Sequence, residues 1–251
     1  MRIIKLGGSL ITKKSGFMEA DNETMDRLAD VIAKVWKDGI KDFILVHGVG
    51  SFGHPVAKGF KITRDVRTPE ERRSFAITHV TCTQLSALLI EKLAERGVPA
   101  ISLPPLALGY QNNRRITEFN HAIVLKFSEK NFLPVLYGDM LLDDEFGGSV
   151  CSGDQIVSYL SKWVDEVIFA TDVDGVLVDG RVVEKITKEN LDEILKHVGE
   201  SEATDVTGGM RGKLQEAINS GKTTYVVNGR HPERVEALLR GEKTICTEIS
   251  P

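Results

Sequence analysis

A chain of 251 residues with 41% hydrophobic content can bury a full core, as one large α/β domain or as two lobes. A formal charge of −4 argues against a general nucleic-acid or membrane-surface binder, and no apolar run is long enough to span a bilayer. The three cysteines, Cys82, Cys151 and Cys246, lack the paired spacing of a zinc site or a disulfide framework, and Met1 leads straight into a strand-like segment, so a soluble protein of the reducing cytoplasm is expected.

Residues 2–6 read as a short buried strand that breaks at once into Gly7, Gly8 and Ser9, with Lys5 just before the glycines and Lys14 shortly after. Residues 21–36 carry Met25, Leu28, Ala29, Ile32 and Ala33 at helical spacing, with Asp21 or Asn22 as the N-cap. A second apolar run, Phe43, Ile44, Leu45 and Val46, opens into His47, Gly48, Val49, Gly50, Ser51, Phe52, Gly53 and His54. Three glycines in six positions let the backbone turn tightly and bring amide N–H groups up to an anion. This is no Walker A loop, because His54 and Pro55 stand where Lys and Ser or Thr are needed. Nor is it a dinucleotide fingerprint, since residues 61–73 are polar and basic and carry no second strand ending in an acid.

From Thr68 a proline and two acids open a long helix closing at Gly97; Phe75, Thr78, His79, Cys82 and Gln84 in its first turns suit either a pocket wall or ordinary packing near the surface. Next come a strand over residues 99–103, a ligand-covering loop over 104–115, a helix over 117–127 and a strand over 132–137. After a polar break at 143–148, a helix with an acidic start begins near Asp154. Residues 166–171 form a strand ending in Asp172, Val173, Asp174 and Gly175, the position at which open α/β sheets hold ligands. The acids of a calcium loop do not follow. A short strand at 181–185 and a helix at 188–197 precede Thr207, Gly208, Gly209, Met210 and Lys213, a helix start suited to cradling phosphate. A strand at 223–227, a helix at 232–239 and a strand at 244–249 complete the pattern.

Taken together, Lys5-Leu6-Gly7-Gly8-Ser9, the stretch from His47 to His54, Thr171 to Val176, and Thr207 to Met210 with Lys213 form an ordered set that resembles the amino acid kinase superfamily over essentially the whole chain. Ser51 to Pro55, with Tyr137-Gly138-Asp139 and Ser152-Gly153-Asp154, is similar to the isopentenyl phosphate kinases of archaeal type. The resemblance implies an α/β fold, an open αβα sandwich with a mainly parallel central sheet. It implies a single domain over 1–251, with a lobe of about residues 1–145 for the acceptor phosphate and one of about 146–251 for ATP. Lys5, Leu6, Gly7, Gly8 and Ser9 would then line the ATP phosphates, with Gly50, Asp172, Asp174, Gly209 and Lys213 on the nucleotide side. Lys14 would stabilise the transferring group, Lys5 would share the catalytic charge, and Val49, His54 and Gly153 would meet the acceptor. ATP and Mg²⁺ are the implied cofactors, with Asp154 and Asp172 as candidates near the ion. Isopentenyl phosphate is the implied substrate, in a cytoplasmic homodimer with no nucleic-acid or membrane partner. Two positions depart from the family pattern: Val49, where Gly or Ala is usual, and Cys246, where Gly usually precedes Thr.

An ionised phosphate is already a nucleophile, so His54 suits a hydrogen-bonding clamp better than a general base. Neutralising and aligning several phosphate charges is the larger task, and Lys5, Lys14 and Lys213 fit it. An isoprenoid tail needs an apolar slot, for which Phe75, Cys82 and Leu85 are the candidates. The alternatives are a sister kinase acting on another small acceptor such as a phosphonate, and a non-catalytic nucleotide- or oxyanion-binding protein on the same fold.

Overall fold

The computed structural model describes residues 1–13, 16–53, 65–200 and 209–250. Its frame is an eight-stranded sheet built from β1 (Arg2–Leu6), β2 (Phe43–His47), β3 (Ala100–Ser102), β6 (Leu133–Tyr137), β9 (Glu166–Thr171), β12 (Lys185–Ile186), β13 (Thr223–Asn228) and β14 (Thr247–Ile249). The spatial order is β12-β14-β13-β9-β1-β2-β6-β3, with every pairing parallel except β13 with β14. Three two-stranded hairpins stand outside it: β4 (Gly109–Asn112) with β5 (Arg115–Phe119), β7 (Asp139–Leu141) with β8 (Ser149–Cys151), and β10 (Leu177–Val178) with β11 (Arg181–Val182).

Helices cover both faces, which is why β2, β6 and β9 read as unbroken apolar runs and not as alternating ones. On one face Ile4, Leu6, Leu45 and Val135 pack with residues of the helices Asn22–Lys37, Pro69–Glu95 and Pro232–Arg240. On the other, Ile3, Val46, Leu136 and Phe169 pack with residues of Gly153–Leu160, Leu191–Glu200 and Gly209–Ser220. The expected α/β sandwich with a mainly parallel sheet is therefore the observed one.

Local chemistry sets most boundaries. The Asp21 side chain accepts from the Thr24 amide and starts Asn22–Lys37. Thr68 and Glu71 form a reciprocal capping box that starts Pro69–Glu95. Ser152 accepts from the Gln155 amide and starts Gly153–Leu160. Two expectations are corrected. Residues 104–115 are not an irregular loop but a 3₁₀ turn, Pro105–Ala107, leading into the β4–β5 hairpin. The helix expected over 117–127 begins only at His121, because β5 runs to Phe119 and the Asn120 side chain caps the helix by accepting from the Ile123 amide.

Candidate active site

Parallel pairing brings the carboxyl ends of five strands into one row. Leu6 is in register with His47 on one side and Ala170 on the other, His47 with Tyr137, and Thr171 with Asn228. Each of these strands then turns away from the sheet, so the turns after β1, β2, β6, β9 and β13 crowd along one rim. That rim is where open α/β sheets hold ligands.

Two glycine turns meet there backbone to backbone. The Gly48 amide donates to the Leu6 carbonyl at 2.8 Å, and the Gly7 amide donates to the Ala170 carbonyl at 2.8 Å. A Cβ on Gly8 would lie 2.4 Å from the Gly50 nitrogen, and one on Gly48 would lie 2.6 Å from the Gly8 nitrogen, so neither turn accepts a side chain at these points. Gly50 also has φ of +44°, a left-handed conformation that glycine adopts without strain. Thr12 fastens the pair: its hydroxyl donates to the Gly8 carbonyl at 2.8 Å and accepts from the Ser51 amide at 3.0 Å. Both segments expected as glycine loops continue directly into helix, Gly8–Ile11 after the first and residues 50–53 after the second.

Val49 has its own accommodation. Its Cγ2 lies 2.2 Å from where a Cβ on Gly53 would stand, and its Cγ1 lies 3.7 Å from the same point on Gly138. The isopropyl group thus occupies room that two glycines leave, and the turn keeps its shape with the larger residue. Gly153, at the start of its helix, faces the other side of the same turn, with the His47 carbonyl 3.1 Å from its Cβ position.

The charges beside the glycines form a compact group. Lys5 is 5% exposed, and its Nζ sits 2.8 Å from Asp154 Oδ1. Burial raises the Asp154 carboxyl, but the charges of Lys5 and Lys213 outweigh it and hold the group below the usual carboxylate value. Lys213 therefore belongs to the same electrostatic neighbourhood, although it is more than two hundred residues from Lys5 in the chain. Asp172 accepts from Ser9 Oγ at 3.2 Å and from Thr171 Oγ1 at 3.3 Å, tying the first glycine turn to the end of β9. Asp174 stands apart from this group, accepting from Arg234 at 2.6 Å and from Asn228 at 3.0 Å. Gly209 begins the helix that carries Lys213. Lys14 and His54 lie outside the described residues, as do Thr207 and Gly208.

His47 is fully buried and stacks on Tyr137 with ring centroids 5.3 Å apart. Its Nδ1 lies 2.9 Å from the Gly48 carbonyl, to which it donates, so Nε2 is left as a bare acceptor with no hydrogen-bond partner. Burial lowers its pKa to about 4; the Gly48 carbonyl opposes the shift and the charge of Lys5 adds to it. The imidazole is neutral at pH 7.

The helix Pro69–Glu95 borders the second turn. Cys82 Sγ is 3.7 Å from the Cβ position of Gly53, and the Phe75 ring is 2.8 Å from that of Gly148. Between them His79 Nδ1 lies 2.8 Å from the buried carboxylate of Asp139, which burial raises above its ordinary value against the pull of His79. Of the residues expected to line an apolar slot, Cys82 thus borders Gly53 and Phe75 borders Gly148. Leu85 is instead fully buried in the core against the sheet. A cavity of about 820 Å³ opens elsewhere, bordered by Glu166, Glu184, Tyr225, Thr244 and Glu248, but it has none of the glycine turns and lies away from the carboxyl rim.

The sequence indicated each glycine turn but not the pairing of Lys5 with Asp154, because nothing local to Lys5 points to an acid nearly 150 residues later. Ser152-Gly153-Asp154 did carry a helix-start signal, a capping serine with an acid in the first turn, but the helix dipole alone favours that acid, so the motif names no cationic partner.

Comparison with known proteins agrees with this geometry. The model of the amino acid kinase family matches residues 1–227. The chain is 33% identical to the isopentenyl phosphate kinase of Methanothermobacter thermautotrophicus, covering 100% of this chain and 99% of that one. It is 32% identical to the isopentenyl phosphate kinase of Methanocaldococcus jannaschii, covering 96% of each. A solved isopentenyl phosphate kinase superposes with a TM-score of 0.84 at 30% identity over the full length of both chains. An isopentenyl phosphate kinase substrate complex superposes with a TM-score of 0.78 at 27% identity, covering 99% of this chain and 100% of that one.

Proposed function

Since this chain belongs to the amino acid kinase family, and within it to the isopentenyl phosphate kinases, we propose that it transfers the γ-phosphoryl group of ATP to isopentenyl phosphate, giving isopentenyl diphosphate and ADP. The observation that carries the reading is the pair of interlocked glycine turns with Lys5, Asp154 and Lys213 beside them. Backbone amides and ammonium groups are what a polyphosphate needs, and full-length similarity to isopentenyl phosphate kinases supplies the acceptor.

In this reading an acceptor phosphate oxygen attacks the γ-phosphorus as the bond to the β,γ-bridging oxygen breaks and ADP leaves. No proton need be removed from the nucleophile, so the protein's work is alignment and charge neutralisation. Lys5, Gly7, Gly8 and Ser9 hold the donor phosphates with Gly50, and Lys213 and Asp172 lie to the nucleotide side. Val49 and Gly153 border the acceptor, His54 clamps its phosphate, and Lys14 meets the charge that develops on the transferring group. Lys5 is pre-set by Asp154, which keeps the ammonium in place before any phosphate arrives. Phe75 and Cys82 offer the tail an apolar wall.

Mg²⁺ fits as a companion of the nucleotide phosphates. Among the described residues no three acidic, histidine or cysteine side chains gather as a metal site, and Asp154 Oδ1 is a buried carboxylate oxygen held by the Lys5 ammonium at 2.8 Å. Asp154 and Asp172 would hold the ion together with phosphate oxygens, where it would neutralise phosphate charge. The acceptor lobe over about 1–145, the nucleotide lobe over about 146–251, the homodimer and the cytoplasmic setting belong to the same reading and rest on the family resemblance.

The test is steady-state ADP release with Mg-ATP, offering isopentenyl phosphate beside a nucleoside monophosphate, N-acetylglutamate and a phosphonate, with phosphorus NMR to identify the product. Selective conversion of isopentenyl phosphate to a diphosphate is expected. His54→Ala should raise the acceptor KM while leaving ATP binding intact, and Lys14→Ala should lower kcat more than nucleotide affinity. Turnover of another acceptor alone would discard the substrate, and silence on all four would favour a binding protein.

A further inference from the structure

We propose that Arg115 is a positioning residue for the nucleotide side of the site, acting through Glu216 to fix the helix that presents Lys213. Arg115 Nη1 donates to Glu216 Oε1 at 2.5 Å and Nη2 donates to Oε2 at 3.3 Å, a two-pronged contact between the β4–β5 hairpin and the helix Gly209–Ser220. Glu216 is one turn after Lys213 and on the same side of the helix, and its side chain is only 14% exposed.

The hairpin is itself anchored, and at the residues that flank Arg115. The Ile116 amide donates to Gln155 Oε1 at 2.6 Å, and Gln155 Nε2 donates to the Arg114 carbonyl at 3.0 Å. Gln111 Nε2, fully buried, donates to the same carbonyl and to Gln155 Oε1. Gln155 is the neighbour of Asp154, whose carboxylate feels the charges of both Lys5 and Lys213. The contacts therefore run from Gln155 to the hairpin, through Arg115 to Glu216 and along one helical turn to Lys213, and the charge of Lys213 felt at Asp154, the neighbour of Gln155, closes the ring.

Such a ring has a mechanical purpose. Leu214 and Ala217 press one face of the helix into the core and set its depth, and a polar contact on the helix flank adds a directional restraint on its rotation. A planar guanidinium gripping both oxygens of a carboxylate fixes that rotation, which a point charge does less well. Rotation is the motion that would swing the Lys213 ammonium away from Asp154. Arg115 lies in the part of the chain read as the acceptor lobe and Glu216 in the nucleotide lobe, so the contact also couples the two halves.

The inference rests on the reading of Lys213 as a nucleotide ligand, and its test measures nucleotide affinity directly as well as turnover. Arg115→Met and Glu216→Gln are each expected to weaken Mg-ADP binding by calorimetry, and to raise the ATP KM, by about fivefold. The isopentenyl phosphate KM and the unfolding midpoint should stay near wild type. Arg115→Lys should recover only part of the loss, and the exchanged pair Arg115→Glu/Glu216→Arg most of it. Nucleotide affinity within about 1.5-fold of wild type in both single variants would overturn the proposal, as would a loss that the exchanged pair does not repair or one that tracks the unfolding midpoint. A wild-type protein that binds Mg-ADP, loses affinity in Arg115→Met and ignores isopentenyl phosphate would refute the acceptor and leave the positioning role standing.

Discussion

Replacing His47 by Asn should flatten the acid limb of the stability curve. The imidazole is fully buried, and its pKa falls from an ordinary 6.5 to about 4. Between those two values the unfolded chain takes up a proton that the folded chain refuses, so stability is complete above about pH 6.5 and declines as the pH drops towards 4. The whole difference corresponds to about 3 kcal/mol, of which about 2 kcal/mol is already lost at pH 5. Asn keeps an N–H in the place of Nδ1–H for the Gly48 carbonyl, but it has no basic nitrogen to titrate. The variant will be less stable at pH 7, because the stacking on Tyr137 is lost and a void remains. The informative quantity is the slope. Urea unfolding at pH 7 and pH 5 should show wild type losing about 2 kcal/mol more than His47→Asn. Equal losses in the two proteins would mean that the buried imidazole is not neutral by virtue of its site, and the reasoning would fail.

Two further perturbations test the rim itself. Asp154→Asn removes the carboxylate charge paired with the buried Lys5 ammonium and should cost about 3 kcal/mol at pH 7 by chemical unfolding. Because the Asp154 carboxyl is held below its ordinary value, that stabilisation is present above about pH 4 in wild type and is lost as the pH falls further, a limb the variant should lack; a cost under about 0.5 kcal/mol would refute the pairing. Gly8→Ala drives a methyl group to within 2.4 Å of the Gly50 nitrogen and should part the two turns, costing about 2 kcal/mol and raising the ATP KM at least about tenfold. An active, equally stable Gly8→Ala enzyme would show that the interlock is dispensable.

The strands were legible because parallel pairing buries both faces and leaves unbroken runs such as Phe43 to Val46 and Val167 to Ala170, each broken at the rim by glycine or acid. The β4–β5 hairpin was not. Its turn puts Asn113 and Arg114 at φ of +49° and +62°, and an arginine gives no sign of a left-handed residue. That conformation is held by tertiary bonds, with the Arg114 amide donating to Asp143 and its carbonyl accepting from Gln111 and Gln155. The helix start at Asn120 was misplaced for a different reason, since Ile116, Phe119 and Ile123 continue an apolar spacing across the strand end. At the site, residue types that bind phosphate were visible one by one, whereas the Lys5, Asp154 and Lys213 grouping depends on the register of β1 against β9 and on helix packing.

The placement of β1 between β2 and β9 has a consequence for how the protein emerges from the ribosome. β1 finds its first partner, β2, within about 40 residues, but its other edge waits roughly 120 residues more for β9. At ordinary rates of elongation that is an interval of about 6 to 24 seconds, during which an apolar, unpaired strand edge faces solvent. The strand that carries Lys5 to the carboxyl rim thus keeps one apolar edge unpaired while roughly 120 further residues are made. A chaperone shielding residues 2–6 until β9 has been synthesised would protect the yield of active enzyme more than one acting on the completed chain.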